Sequence, residues 1–182
     1  FIDSIGFDLY SQLLEEAVNK RLGKSRKTRK ANTEINLEID AFLPSDYISD
    51  QRQKIEIYKR IREIESRTYY QDLQDELIDR FGEYPDTVAY LLEIGLLKYF
   101  SDQALVDKVD KQLTTIVYMM SKAATHTFMP QDYFDALSKT QLKAKIGETS
   151  GQMVIRFDIR NLSAATCLSE IISFTERLSA IR

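Results

Sequence analysis

Hydrophobic residues recur every three or four positions along much of the chain, which is the spacing of helices that bury one face. Residues 4–22 carry such a stripe and predict a first helix that ends at Gly23. Residues 50–66 predict a second helix, which Ser49 caps. Its predicted buried stripe is Ile57, Tyr58, Ile61 and Ile64, and its predicted outer face is Arg52, Lys54, Lys59, Arg60 and Arg62.

Two more helices are predicted around a glycine and a proline. Residues 68–82 repeat apolar side chains at about four-residue steps, and Gly82 is predicted to end this helix in the left-handed conformation. Pro85 is favoured in a first turn and starts the next helix. The predicted core positions are Tyr69 or Tyr70, Leu73, Leu77 and Phe81 in the first of these helices, and Val88, Leu91, Leu92, Leu96 and Phe100 in the second.

Strands are predicted where apolar and polar residues alternate. Residues 35–43 alternate in this way and stop at Pro44, residues 107–121 predict one or two strands, and residues 142–160 predict a hairpin that turns at 147–151. A short helix is predicted from Pro130. A final amphipathic helix is predicted over residues 163–182, with Leu168, Ile171, Ile172, Phe174 or Thr175, and Leu178 buried.

The order of these elements predicts the fold class. Helices and strands are interspersed without a regular β-α-β alternation, which favours α+β. We therefore expect a single compact domain of mixed helices and a small, mainly antiparallel sheet, preceded by a helix and a basic linker. The predicted boundary assigns residues 1–31 to that helix and linker and residues 32–182 to the domain.

Composition supports a folded domain. A chain of 182 residues with 43% apolar residues, six Gly and three Pro is long enough for one well-filled core. Its stretches of apolar residues are too short to span a bilayer, and its N-terminus does not resemble a signal peptide. We expect a cytoplasmic protein without membrane contact, and the first residue, Phe1, suggests a fragment of a longer protein.

Positive charge is concentrated in one segment. The net charge is −3, yet residues 20–30 hold seven Lys or Arg and no acid, so the rest of the chain is markedly acidic. This segment has no apolar periodicity and predicts a solvated linker. It also offers possible nucleic-acid contacts, although it has no aromatic residue for base stacking: Lys24, Arg26, Lys27, Arg29 and Lys30.

Candidate catalytic residues are few. The single cysteine, Cys167, is expected on the apolar side of the last helix, in the core of the domain. The single histidine, His126, has no candidate nucleophile near it in the sequence. Gly147 and Gly151 lack the Lys-Ser/Thr of a phosphate-binding loop. The sequence predicts no cofactor, metal or catalytic site in this chain.

The helix predicted over residues 68–82 has a charged face. Asp72, Glu76, Asp79 and Arg80 fall on one side of it, away from its apolar stripe. Three interpretations remain open: a solvated surface, a protein-binding face, or, with the least support, a pair of catalytic carboxylates.

Three stretches together resemble a known family. They are FIDSIGFDLYSQLLEEAV at 1–18, INLEIDAFLPSDYISDQRQKIEIYKRI at 35–61 and DELIDRFGEYPDTVAYLLEIGLLK at 75–98. In this order they resemble the C-terminal region of the bacterial transcription-repair coupling factor family, Mfd. Beyond about residue 105 only the general order of strands and helices is similar.

The resemblance implies a function and partners. The full-length parent is expected to be a DNA-translocating ATPase that uses ATP and Mg, binds DNA and RNA polymerase, and recruits UvrA in nucleotide excision repair. Residues 1–31 are then expected to form the end of the preceding translocase module, and residues 32–182 the C-terminal regulatory domain. This C-terminal domain is expected to be a non-catalytic, autoinhibitory domain that packs on a UvrB-like module of the same protein and competes with UvrA. The implied contact motif is ELIDRFG, with Glu76, Asp79 and Arg80 in the first rank and Asp72 and Asp75 as weaker neighbours.

Two alternatives remain beside this hypothesis. The first is a nucleic-acid-binding accessory domain that uses residues 20–30, with the basic face between Arg52 and Arg62 as a second contact. The second, weaker alternative is a hydrolase that uses the acidic helix.

Overall fold

A computed structural model describes residues 32–182 of the chain, and the first helix and basic linker predicted for residues 1–31 lie outside this range. The described residues group into two compact units. Residues 40–96 form the first unit, and residues 32–39 and 97–182 form the second.

The first unit is helical. Helix α1 spans Gln51–Arg62, α2 spans Arg67–Phe81, and α3 spans Asp86–Gln103, whose last turns continue into the second unit. The predicted cap at Ser49 is wrong by one residue, because the Asp50 carboxylate accepts hydrogen bonds from the backbone N–H groups of Arg52 and Gln53. Ser66 caps α2 in the same way through the N–H of Tyr69.

The helical periodicity correctly predicts most of the core of this unit. All four positions of the predicted α1 stripe are buried, as are Leu73 and Leu77 of α2 and the α3 residues Val88, Leu91, Leu92 and Leu96. Phe100, in the part of α3 that belongs to the second unit, is buried as well. Two predictions are wrong: Phe81 was predicted in the core and is only half-buried, and Lys54 was predicted on the outer face and is only 3% exposed. It lies three residues before Ile57 on the inner side of α1, and its ammonium donates a hydrogen bond to Ser45 Oγ at 3.0 Å.

Gly82 ends α2 in a conformation that requires glycine. Its φ of 87° is positive, as predicted, but its ψ of −174° is extended, so the predicted left-handed helical conformation is wrong. The N–H of Gly82 still donates to the Ile78 carbonyl at 2.9 Å and closes the last turn. The chain therefore continues from the end of α2 in an extended conformation toward Pro85 and the start of α3.

The second unit contains a five-stranded sheet. Its strands are β1 Glu34–Asn36, β2 Val106–Lys111, β3 Thr115–Met120, β4 Lys143–Thr149 and β5 Gln152–Asp158, in the spatial order β1-β2-β3-β5-β4. Only the β1–β2 pair is parallel, and the other three pairs in this sheet are antiparallel. The α+β class and the mainly antiparallel sheet are thus confirmed.

Two strand boundaries differ from the prediction. The strand predicted over 35–43 has three residues, because Glu38 at a φ of 54° turns the chain away from β2. The hairpin turn predicted over 147–151 is tighter, because β4 continues to Thr149. The turn residues Ser150 and Gly151 both have positive φ, 52° and 79°, as type I′ hairpin turns require.

Three helices complete the second unit: α4 Ala124–Thr127, α5 Pro130–Ser138 and α6 Ala164–Ile181. The predicted apolar face of α6 is buried, and so is Cys167. The rings of Tyr118, Phe157 and Phe174 meet edge to face with centroids 5.0–6.0 Å apart. The Tyr118 hydroxyl lies 2.8 Å from that of Thr175. Within residues 32–182, no helix combines the length and the apolar character that crossing a membrane requires.

Candidate protein-interaction surface

Helix α2 presents the charged face that the sequence predicts. Tyr70, Leu73 and Leu77 are its buried residues, and the predicted site residues lie on the other side of the helix. Within this set, Glu76 is half-buried and the others are exposed. We call these five residues the α2 face: Asp72, Asp75, Glu76, Asp79 and Arg80.

Glu76 and Arg80 belong to a network of four charges. Arg80 Nη1 lies 3.0 Å from Glu76 Oε2 and 3.2 Å from Glu56 Oε1 of α1. Arg60 of α1 donates a second hydrogen bond to the same Glu76 oxygen. Two arginines therefore hold the Glu76 carboxylate between α1 and α2.

The network shifts the ionisation of its members. Partial burial by itself raises the pKa of the Glu76 carboxyl, but the hydrogen bonds from Arg60 and Arg80 outweigh it, and the pKa lies below its ordinary value. The hydrogen bond to Glu76 raises the pKa of the Arg80 guanidinium. Glu76 is thus firmly ionised at neutral pH.

Aromatic contacts fix the end of α2 that carries Asp79 and Arg80. The Arg80 guanidinium lies 4.9 Å from the centroid of the Phe81 ring, and the Tyr47 ring packs on Phe81 at 5.9 Å. The Tyr47 hydroxyl lies 3.1 Å from the Leu77 carbonyl of α2 and 2.8 Å from the carbonyl of Gly82, the residue after α2, so it donates to one of these two. The end of the helix is held in one position as a result.

The three aspartates of the α2 face differ from Glu76. Asp72, Asp75 and Asp79 are exposed, and within residues 32–182 none of their carboxylates has a hydrogen bond or ion pair. They add negative charge beside a network whose geometry is already set. The α2 face therefore combines fixed charges with three carboxylates that are open to a partner.

The sequence pattern did not identify Arg60 as a partner of Glu76 or Glu56 as a partner of Arg80. The sequence placed Arg60 on a basic outer face of α1, and Glu56 was not singled out. Arg60 and Glu76 are 16 residues apart, and only the packing of α1 beside α2 joins them. The possible nucleic-acid contacts, Lys24 to Lys30, lie outside the described residues.

The geometry does not favour catalysis at this face. The α2 face lies on the surface of one helix. The side chains that contact Glu76 are those of Arg60 and Arg80, rather than a second carboxylate across a cleft. In the part of the chain that the structure describes, no group of three or more His, Cys, Asp and Glu side chains could hold a metal ion. His126 is exposed in the short helix α4. What the α2 face offers is a set of oriented charges for a partner surface.

The family model of the TRCF domain matches residues 37–131, which include all of the α2 face. The chain belongs to the TRCF domain family. The resemblance found in the three sequence stretches is therefore confirmed.

Two relatives support this assignment over most of the chain. The transcription-repair-coupling factor of Bacillus subtilis (strain 168) is 34% identical over 182 residues, which is 100% of this chain and 16% of that protein. A transcription-repair-coupling factor of Staphylococcus epidermidis (strain RP62A) is 39% identical over 154 residues, 84% of this chain and 13% of that protein. This TRCF domain thus spans about a sixth of the length of the relatives it matches.

A solved structure shows the same fold. The crystal structure of a C-terminal domain of transcription-repair coupling factor superposes with a TM-score of 0.81 at 51% identity, covering 84% of this chain and 96% of that one. The TRCF domain described here is therefore similar to a C-terminal domain of a transcription-repair coupling factor over nearly all of that domain.

Proposed function

We propose that this TRCF domain is a non-catalytic autoinhibitory domain of a transcription-coupled DNA repair translocase. It packs by its α2 face on a UvrB-like module of the parent protein and covers the surface to which UvrA binds. The observation that carries the proposal is that one helix face combines two features. The carboxylates of Asp72, Asp75 and Asp79 are open, and the ion pair between Glu76 and Arg80 is fixed.

The energetics of such a face suit a releasable contact. Each solvent-exposed ion pair contributes about 0–1 kcal/mol, so a few of them give an interface that other partners can displace. Oriented charges also select the partner and fix its orientation. When the contact opens, the α2 face exposes charge to water rather than a large apolar patch, so the open state remains soluble.

The parent protein supplies the activity that this domain would restrain. We propose that it hydrolyses ATP with Mg to translocate on DNA and that it engages RNA polymerase and UvrA. In the absence of RNA polymerase the TRCF domain is bound to the UvrB-like module, and engagement of polymerase and DNA releases it.

The decisive experiment measures binding of the 182-residue chain to an isolated UvrB-like module by calorimetry. Asp79→Lys is the best variant, because the Asp79 carboxylate has no partner within the described residues and its loss leaves the Glu76 network intact. We expect about tenfold weaker binding, since one attractive charge contact becomes repulsive.

The matched control is Glu148→Lys. Glu148 is an exposed acid on β4, in the other unit, so it changes the net charge equally without touching the α2 face. Equal affinities of the unmodified chain and Asp79→Lys would contradict the proposal. If Asp79→Lys and Glu148→Lys weaken binding equally, the loss of affinity comes from the change in net charge and not from the α2 face.

A second candidate function rests on the seven basic residues of segment 20–30. Here the chain would contact DNA through Lys24, Arg26, Lys27, Arg29 and Lys30. A salt titration of DNA binding separates the two candidates, because each phosphate contact lowers the affinity steeply as salt rises. Tight binding with a steep slope, lost when these five residues become Gln, would favour the second candidate.

A further inference from the structure

A small apolar cavity opens in the second unit, in a region that the proposed function does not use. Its volume is about 180 Å³, and it lies between the sheet and α6. Its floor consists of Ile116, Leu168 and Ile171, which are at most 2% exposed, and Ile159 and Leu162 form part of its half-exposed rim. We call this space the end cavity.

The size of the end cavity limits what it accepts. An apolar cavity of about 150 Å³ is large enough to bind benzene, whereas sites for drug-sized ligands occupy about 300–1,000 Å³. The end cavity, at about 180 Å³, therefore has room for one phenyl or branched aliphatic group. One large side chain of a partner fits this volume.

One cation lies at the cavity. Lys111 lines it and forms an ion pair with Glu38 at 3.7 Å, and the Glu38 side chain is 74% exposed. A long pair with so exposed a partner is weak and easily exchanged. A carboxylate that follows an apolar group into the cavity can take the place of Glu38.

An exposed leucine lies in the hairpin turn that follows Lys111. Leu113 is 93% exposed at the tip of the β2–β3 hairpin, two residues after Lys111. The tip is held by hydrogen bonds from Gln112 N–H to the Thr115 carbonyl at 2.8 Å and from Ile159 N–H to the Thr114 carbonyl at 3.0 Å. The hydrogen bond from Ile159 joins the hairpin tip to a residue that lines the cavity, so a partner chain that enters the cavity can extend over Leu113.

More positive charge borders the rim. A polar depression of about 590 Å³ shares Leu162 with the end cavity and is lined by Lys143, Arg160 and Asp158. Arg160 donates to both oxygens of Asp158, at 3.1 and 2.8 Å. The end cavity and this depression are together lined by three cations, Lys111, Lys143 and Arg160, and by two carboxylates, Glu38 and Asp158. Their combined charge is positive, which favours an acidic segment.

We propose that the end cavity and Leu113 form a docking site for an acidic segment of a partner protein. The segment inserts one aromatic or large aliphatic side chain into the cavity, places a neighbouring carboxylate on Lys111, and covers Leu113. This site lies within the second unit and is independent of the α2 face and of the function proposed for it.

The test uses methyl NMR of the 182-residue chain with the blocked peptide acetyl-Glu-Asp-Phe-Glu-Asp-amide. We expect saturable shifts at the methyl groups of Ile116, Leu168 and Ile171. Replacing the Phe of the peptide by Ala should weaken binding at least tenfold, because the cavity then stays empty. A peptide with Lys at all four acidic positions should not bind measurably.

Two variants of the chain test the residues. Leu113→Ala and Lys111→Gln should each weaken binding about fivefold, through lost apolar contact and lost charge. Their matched controls are Ile181→Ala, which truncates another exposed large apolar residue, and Lys139→Gln, which removes another exposed cation, and both should bind as the unmodified chain does.

Several results would overturn the proposal. Absence of shifts at millimolar peptide, equal binding of the basic peptide, or unchanged affinity in both Leu113→Ala and Lys111→Gln would each do so. A further arm uses 3-phenylpropionate. If this acid binds as tightly as the peptide and binds Leu113→Ala equally well, the cavity is a small-molecule site and the protein-docking proposal is wrong.

Discussion

At the residue scale, Glu76 and Asp79 illustrate two kinds of surface charge on one helix. The Glu76 carboxylate accepts hydrogen bonds from Arg60 and Arg80. These bonds lower its pKa, although partial burial by itself would raise it. Asp79, one turn later, is exposed and has no partner within the described residues. A charge reversal at Glu76 therefore disturbs the domain itself, whereas one at Asp79 changes only what the surface offers.

The lowered pKa of Glu76 leads to a prediction about pH. A carboxyl with a depressed pKa in the folded state stabilises the fold at a pH above its ordinary pKa of 4.5, and this contribution is lost as the pH falls through the folded pKa. Glu76→Gln should thus lower the free energy of unfolding by about 0.5–1 kcal/mol at neutral pH, and by much less near pH 3.

Urea unfolding at the two pH values measures this difference. Asp79→Asn is the control, because its carboxylate is unpaired within the described residues and its removal should matter little at either pH. If Glu76→Gln were equally destabilising at both pH values, the ion network would not be the source of the stability.

At the element scale, α1 and α3 approach closely at one glycine. A Cβ added at Gly95 would lie 2.7 Å from Ile61 Cγ2, 3.1 Å from Ile64 Cδ1 and 3.2 Å from the Ile61 carbonyl oxygen. Gly147 on β4 has no atom within 4 Å of such a Cβ. The first unit, which positions the α2 face, thus depends on a residue without a side chain at Gly95.

This close approach predicts that the same substitution affects stability at one site and hardly at all at another. Alanine in a helix is usually about 1 kcal/mol more stable than glycine, but Gly95→Ala should destabilise by about 1–3 kcal/mol, because the methyl group overpacks Ile61. Gly147→Ala should change stability by less than about 0.5 kcal/mol. Thermal and urea unfolding measure both, and a more stable Gly95→Ala would show that the helices are free to separate there.

At the scale of the whole molecule, the TRCF domain is one part of a much longer protein in its relatives, of which the matched segment is 16% or less in those compared. Its basic charge is concentrated in residues 20–30, while the α2 face in the first unit is acidic. Under the proposed function, the domain acts by occupying a surface elsewhere in the parent and needs no reaction of its own.

The consequence for the parent protein is testable with the same substitution. Asp79→Lys in the full-length transcription-repair coupling factor should raise the basal ATPase rate, DNA binding and UvrA binding, because the restraining contact is weakened. Glu148→Lys should leave all three unchanged. Weaker binding in trans combined with unchanged values in the full-length protein would show that the α2 contact forms but does not inhibit.

The sequence alone determined most of the apolar residues that α1, α2, α3 and α6 bury. The spacing of Ile57, Tyr58 and Ile61 predicted the inner side of α1, and Leu73 and Leu77 predicted that of α2, because burial of one helix face imposes a 3.6-residue period on the sequence itself. The same spacing separated the charged residues of α2 from its apolar stripe. The partner proposed for that face comes from the family resemblance and not from this spacing.

Only the tertiary structure decided where non-local contacts form. It buried Lys54 against Ser45, joined Arg60 to Glu76, and ended β1 before Glu38. It also brought residues from distant parts of the chain together around the end cavity. The periodicity of a sequence predicts which face of an element a side chain lies on. The group that the side chain contacts depends on how the elements pack, and that packing is determined by residues throughout the chain.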